Sequence, residues 1–382
     1  MNNNYRLYNV LSNIVLLGAL RVMYLVETGN SFTFIALLLS VKALSKLLFD
    51  LPIGLLVDRF GQKAILYFGN ISRILTYGLL LLSPNPIFLI FSFIFLGINH
   101  AALELTEDCY VHDYGVKKEQ DFLVLRGGLK KQQVLANILF NFFFAYAYGI
   151  NIYLPILIVI VVSFLTLIPL LFIVPIQVGK PLKIKEIILE IPEIIKKPVL
   201  SYTFIYGICF LTIISLAIYL KFPVMEARGL TGSIVGYIDA SIQLVAFVSL
   251  FYIKQIRDFT KNNLKEAMTV LLIIGLLISG LTHYAGLLIL LITPMAFSLG
   301  GLDITKRIAD YSNQRSKATY LAAKDFMVSL LIMLLMPLIG FITDTYSVHF
   351  SQLFLLLLLL LCLLFIKFVY RKQVFKNELA NC

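Results

Sequence analysis

Gly54-Leu55-Leu56-Val57-Asp58-Arg59-Phe60-Gly61-Gln62-Lys63 closes one long apolar run, and a second run begins at Ala64. An acid, two bases and a glycine packed this closely do not lie in hydrocarbon. A charge at the centre of a span costs about +2.5–3.5 kcal/mol, and backbone polar groups there must be satisfied internally. The chain therefore emerges into water and re-enters, so the stretch reads as a tight hairpin at a membrane surface.

Outward from that hairpin the composition agrees. Hydrophobic residues make up 60% and charged residues 14%, with a mean hydropathy of +0.91, whereas soluble domains run near about 45–50% and about 25%. Apolar runs broken at Gly, Pro, Asn and charged residues predict an all-α polytopic membrane protein with about twelve transmembrane helices in two six-helix halves. The spans fall near Tyr8–Val26, Phe32–Val57, Ile65–Leu82, Ile87–Tyr110, Phe122–Tyr148, Tyr153–Val174, Leu200–Leu220, Ile234–Tyr252, Ala267–Leu281, Leu287–Ile308, Tyr320–Ile342 and Leu353–Val369. The run after Arg6 continues past Val22 without a small-residue cleavage pattern, which predicts a retained first span.

The longest polar segment, Gly179–Lys197, sets isoleucines at helical spacing among lysines and glutamates. It predicts an interfacial linker. Residues 1–176 are then the N-terminal half, 177–198 a cytoplasmic linker, and 199–382 the C-terminal half with a short tail, a layout common among secondary transporters.

Charge sets the orientation. With a cytoplasmic N-terminus, the inner segments are Arg59–Lys63, Lys117–Arg126, Gly179–Lys197, Lys254–Lys265, Lys306–Lys317 and the tail from Arg371, and all are basic. The opposite links carry no Lys or Arg except for Lys221–Arg228. The positive-inside rule predicts a cell-membrane protein with both termini cytoplasmic. The net charge of +11 is assigned to this topology, not to nucleic acid. Cys109, Cys209, Cys362 and Cys382 show no C-x-x-C spacing and predict neither disulfide nor metal site.

The hairpin residues resemble a signature of the major facilitator superfamily, Gly-x-Leu-x-Asp-Arg-x-Gly-Arg-Lys, at Gly54, Leu56, Asp58, Arg59, Gly61 and Lys63, with Gln62 in place of an arginine. Asp108-Cys-Tyr-Val-His-Asp113 is similar to the acidic ending of span four in a bacterial, drug-efflux-like branch. Asp50 before Pro52 and Arg315-Ser-Lys-Ala-Thr also resemble that branch. The proton-antiporter run Gly-Pro-x-x-Gly-Gly is absent from Gln132–Gly149, as is the span-four arginine of proton-coupled exporters from Ile90–Glu104. The resemblance implies a cytoplasmic latch built from Gly54, Asp58, Arg59, Gly61 and Lys63, with Asp58 facing the start of span eleven and Asp113 as a basic-side partner.

Within the spans, His100, Glu104, Asp108 and His112 form an i, i+4 series on one face. Lys42, Lys46 and Asp50 do the same on span two, and span five carries Lys130 and Lys131. Helical rise puts Lys46, Glu104 and Lys130 at similar depth. Two readings stand side by side. In one, Glu104 with Asp108 or His100 binds a proton or a cationic substrate. In the other, Lys46–Glu104 and Lys130–Asp108 are structural pairs that open with the cytoplasmic gate. Glu107, off this face, reads as a surface or packing residue. Asp303 and Lys324 lie level with one another and predict a mutual salt bridge, while Arg21 and Asp239 lie level on the outer side as a gate or substrate anchor. Phe140, Phe142, Phe143, Phe144, Phe204, Tyr206 and Phe210 either line a lipophilic pocket or face lipid and pack.

These features predict a secondary active transporter working by alternating access. The expected function is ion-coupled export of a small amphipathic or cationic molecule with protons as coupling ion, and uptake or lipid movement is the alternative. The partners expected are a small-molecule substrate and the lipid bilayer, with the protein monomeric. No phosphate-binding loop or H-E-x-x-H order occurs, so no cofactor, metal or enzymatic role is expected. An intramembrane enzyme or a sensor is the competing class.

Overall fold

The computed structural model describes all residues except 1–2, 15–17, 84, 119–121, 174–197, 262, 283, 312–316 and 371–382. The described residues are helical with short turns and contain no strand. The helices are α1 (Asn3–Ser12), α2 (Gly18–Glu27), α3 (Phe32–Phe60), α4 (Gln62–Leu80), α5 (Pro86–Lys118), α6 (Phe122–Ile150), α7 (Leu154–Leu165), α8 (Leu167–Leu171), α9 (Pro198–Tyr219), α10 (Lys221–Glu226), α11 (Ser233–Phe251), α12 (Ile253–Phe259), α13 (Leu264–Leu281), α14 (Leu288–Tyr311), α15 (Lys317–Thr345) and α16 (Val348–Tyr370). Among the described residues, 10 helices are long and apolar enough to cross a membrane. The chain is thus an all-helical, multi-pass membrane protein. The expected third span is α4, which has the length but also carries Lys63, Asn70 and Arg73. The linker 177–198 lies almost wholly outside the described residues.

The first expected span, Tyr8–Val26, is not one helix: α1 ends at Ser12 and α2 starts at Gly18. Side chains at the end of α1 account for the stop. Ser12 Oγ and Asn13 Nδ2 both turn back onto the Asn9 carbonyl, at 3.2 and 2.8 Å, competing with the main chain for its acceptor. The carbonyls near the break are taken by Arg73 of α4, whose Nη1 donates to Leu11 O at 2.9 Å and whose Nη2 donates to Ile14 O. Arg73 is fully buried. An arginine inside a membrane protein is here spent on backbone acceptors that lipid could not satisfy.

The chain divides into two compact units, Met1–Pro181 with Gly229–Phe247, and Leu182–Arg228 with Val248–Cys382. Most of α11, the eighth expected span, therefore groups with the earlier helices. Close approach explains this. A Cβ on Gly236 of α11 would meet Ala145 Cβ of α6 at 2.6 Å and Leu20 Cδ2 of α2 at 3.0 Å.

In the first unit, α5 is clamped on two sides by small residues and polar bonds, the usual glue of helices in lipid. Asn99 Nδ2 donates to Gly69 O of α4 at 2.8 Å, and Ser92 Oγ donates to Thr76 O at 2.8 Å. On the other side Ser45 Oγ of α3 donates to Ile94 O at 2.8 Å. In the second unit, Gly207 of α9 lies against Ile304, and Gly300 of α14 lies against the Phe210 ring. Arg228, between the spans, donates Nη1 to Val224 O at 2.9 Å and Nη2 to Thr282 O at 3.2 Å. Burial lowers its pKa from the ordinary guanidinium value. The aromatics divide between packing and the outer surface: Phe144 and Phe210 are buried, and Phe143 is exposed.

Candidate functional site

The site is built where α3 crosses α5 in the first unit. Gly97 is the contact point, for a Cβ there would lie 2.6 Å from Lys42 O, 2.7 Å from Ser45 Cβ and 2.9 Å from Lys46 N. Only a residue without a side chain lets the two backbones come this near. The consequence is chemical as well as structural. The crossing sets Lys42 and Lys46, one turn apart on α3, against His100 and Glu104, one turn apart on α5.

Lys46 Nζ and Glu104 Oε2 form an ion pair at 2.5 Å. Glu104 also lies within electrostatic reach of Lys42 and of Lys130 on α6, and His100 lies within reach of Lys42, Lys46 and Arg21. Arg21, from α2, holds its guanidinium over the Phe93 ring at 5.7 Å, a cation–π arrangement. Phe93 and His100 are i, i+7 on α5 and share a stripe. Among the described residues of this cluster, Arg21, Lys42 and Lys46 are cations and Glu104 is the acid. The structure therefore brings together Arg21, Lys42, Lys46, His100 and Glu104 of the residues singled out from sequence, with Lys130 at the rim.

Other singled-out residues lie elsewhere. Asp239 is buried in α11, where it accepts from Gln243 Nε2 at 3.4 Å, and Gln243 in turn accepts from Asn141 Nδ2 at 3.4 Å. The level placement of Arg21 and Asp239 does not become a pair, because Arg21 turns to Phe93 instead. Asp303 and Lys324 also differ from the expected mutual bridge. Asp303 accepts from Arg307 Nε at 2.8 Å on its own helix, and Lys324 pairs with its neighbour Asp325 at 3.1 Å. A partner within one turn needs no second helix to be placed correctly. Asp50 is part-buried in α3.

At the hairpin, α3 stops at Gly61, whose φ of 81° favours glycine and whose N–H bonds Val57 O at 2.8 Å. Lys63 Nζ donates to Leu171 O at 2.7 Å, and Arg59 lies over the Phe60 ring at 5.3 Å. The latch itself, through Asp58 with Gly54 and through Asp113, falls outside the described side chains, as do Asp108 and His112.

Glu107 is the residue that reading one helix at a time missed. It is buried, accepts from Gln133 Nε2 at 2.8 Å and pairs with Arg126. Gln133 Nε2 also donates to Asn9 Oδ1 at 2.8 Å, tying α1, α5 and α6 together. Counting angles around α5 gives the face of Glu107 but not what covers that face. The one available signal was Arg126, which orientation by charge had already absorbed.

The comparisons with known proteins bear on this arrangement. The family model described as Major Facilitator Superfamily matches residues 7–305. The chain belongs to the major facilitator superfamily. Among curated proteins, none matches the sequence. Among solved structures, a point-mutant form of the nucleoside transporter NupG is similar over 96% of this chain and 99% of that one, with a TM-score of 0.75 at 10% identity. A D-xylose–proton symporter is similar over 95% and 94%, with a TM-score of 0.74 at 13% identity. A bacterial homologue of the human lysosomal transporter Spinster, inward-facing and occupied, is similar over 98% and 97%, with a TM-score of 0.71 at 16% identity. At these identities the likeness is one of fold, and the superfamily member is a transporter by family and fold.

Proposed function

We propose that this superfamily member is a proton-coupled secondary active transporter that carries a small molecule by alternating access, with Glu104 as the proton-binding group and Lys46 as its counter-charge. The observation that carries the reading is the 2.5 Å pair drawn between two helices that touch at Gly97. Glu104 keeps 54% of its side chain exposed against 19% for Lys46. The carboxylate is thus the more accessible partner, and the ammonium is held back among the helices. Protonation turns the carboxylate from a pure acceptor into a neutral group that also donates, and it removes the negative charge that Glu104 sets against Lys46. Loss of the proton restores the pair. Such a pair across a helix crossing is a two-state element that proton and substrate both bias.

Family membership supports transport, and the likeness to a protein titled a D-xylose–proton symporter supports the proton as coupling ion. We take residues 1–176 and 199–382 as the rocking bodies of a monomer with both termini cytoplasmic. Export is the direction carried over from the sequence. A cationic cargo fits less well, because Arg21, Lys42 and Lys46 outnumber Glu104 among the described charges of the cluster.

The test is accumulation of substrate in proteoliposomes under an imposed proton gradient. Glu104→Gln is expected to abolish uphill accumulation and its sensitivity to a protonophore while downhill exchange continues. Accumulation that is unchanged in Glu104→Gln, or indifferent to the protonophore in the parent protein, would overturn the assignment.

A further inference from the structure

Arg21, Arg73 and Arg228 fall into two kinds. Arg73 and Arg228 place their guanidinium N–H groups on main-chain carbonyls, Leu11 and Ile14 for the first, Val224 and Thr282 for the second. Arg21 does neither this nor pairs with an acid among the described residues. Its placement comes from the Phe93 ring at 5.7 Å, and its Nε is buried without a hydrogen-bond partner. Lys42 is in the same position with respect to acids. Glu104 sits against Lys46, one turn away, at 2.5 Å, and among the described residues no carboxylate lies within ion-pair distance of Lys42. Arg21 lies over Phe93 and the Lys42 main chain lies against Gly97, one turn further along α5, so two cations border one stretch of that helix with no counter-charge of their own among the described residues.

We infer that this region binds an anionic group of the transported molecule, a carboxylate or a phosphate, between Arg21 and Lys42. The inference rests on the transport reading above and names its substrate class. The chemistry is suited to it. The Arg21 guanidinium sits over the Phe93 ring with Nε unbonded, and a guanidinium offers parallel N–H donors at the spacing of two oxyanion oxygens. An ammonium adds a point charge without demanding a fixed geometry. Cation–π stacking with Phe93 orients the guanidinium before ligand arrives, so less freedom is lost on binding. His100, between the two helices, is a further polar group facing the same region. Glu104 and Lys46 then belong to the proton, and Arg21 and Lys42 to the cargo. Lys42 lies one turn from Lys46 on α3, so proton and cargo influence each other without sharing an atom.

The experiment uses purified full-length protein and reads thermal stabilisation, since a ligand raises the stability of the state it binds. The probes at fixed ionic strength are benzoate, glutarate, glucose 6-phosphate and inorganic phosphate, set against chloride, tetraphenylphosphonium, ethidium and xylose. At least one organic anion is expected to raise the melting midpoint. In Arg21→Gln and in Lys42→Met its half-saturating concentration should rise about tenfold or more, whereas Arg21→Lys, which keeps the charge but not the fork, should lose less. The unliganded midpoint and size-exclusion profile of each variant separate lost binding from lost folding. A shift with phosphate and both phosphate-bearing and carboxylate probes identifies the shared oxyanion chemistry; a shift with one class alone identifies that class.

Stabilisation by no anion, or by the two cations with no change in Arg21→Gln, would overturn the inference while leaving proton coupling through Glu104 intact. Anion binding that depends on Arg21 in a protein whose accumulation ignores both Glu104→Gln and a protonophore would sustain this inference and remove the coupling assignment.

Discussion

In the unit formed by Leu182–Arg228 with Val248–Cys382, Asp303, Lys324 and Lys265 each find a partner of opposite sign on their own helix: Arg307 at 2.8 Å, Asp325 at 3.1 Å and Glu266 at 3.4 Å. In the unit formed by Met1–Pro181 with Gly229–Phe247, two pairs among the described residues run between helices, Lys46 to Glu104 and Arg126 to Glu107, and Arg21 and Lys42 pair with no described acid. A pair within one turn is set by the helix itself and survives any movement of that helix. A pair between helices is made or broken when the helices shift. The difference teaches that the first unit is where charge can report on movement, and the second is where charge is merely carried.

The strongest way to break that contrast is Gly97→Val. Its branched side chain meets the α3 backbone at distances no real Cβ tolerates, pushing Lys46 from Glu104. We expect a loss of about 1–3 kcal/mol from overpacking, together with loss of proton-driven accumulation, read by thermal unfolding and by flux. The corresponding change in the second unit, Gly301→Ala, faces only Leu211 Cδ2 at 3.5 Å and should leave both readings near the parent.

Next come the two arginines that serve carbonyls. Arg73→Met and Arg228→Met should each cost about 1–3 kcal/mol, the penalty for buried acceptors left unsatisfied. The two costs should be alike, because neither residue belongs to the charge contrast. Unequal costs, with Arg73→Met also erasing proton coupling, would place Arg73 inside the first unit's charge system.

A sharper comparison is Lys46→Met against Lys324→Met. With Glu104 54% exposed, losing the pair should cost about 1 kcal/mol or less in stability, yet uphill accumulation should disappear. Lys324→Met leaves Asp325, which is 60% exposed, and accumulation should persist. If both variants transport alike, the two units handle charge alike.

The smallest expected effect concerns the turns after α3 and α12. Gly61 takes φ 81° after α3, while Lys261, after α12, takes φ 51° with a side chain in place. Lys261→Gly should therefore raise stability by a few tenths to about 1 kcal/mol, measured as a higher unfolding midpoint with unchanged flux. Gly61→Ala should do the opposite.

Much of this was legible in residues alone. The hairpin at Gly54–Lys63, the apolar runs and the i, i+4 placement of Lys42, Lys46, His100 and Glu104 need only hydropathy and helical period. The level placement of Lys46 and Glu104 needs only the rise per residue. The break at Ser12 was hidden because Val10 through Leu17 contains neither Gly nor Pro, and the decision lies in how Ser12 and Asn13 turn back on Asn9. Asp303 and Lys324 were matched by depth, but depth cannot say whether a nearer partner on the same helix will take the charge first.

By itself, then, the sequence determined that the chain is a bundle of membrane helices and which faces of those helices carry charge, because burial in hydrocarbon and the 3.6-residue repeat act locally. Tertiary structure alone decided which charges meet. Gly97 brings α3 onto α5, Arg73 reaches a broken helix 59 and 62 residues away, and Gln133 ties Glu107 of α5 to Asn9 of α1. The physical reason is that an ion pair or a capped carbonyl depends on atoms from two segments within about 3 Å, and no single helix fixes where the second segment will be.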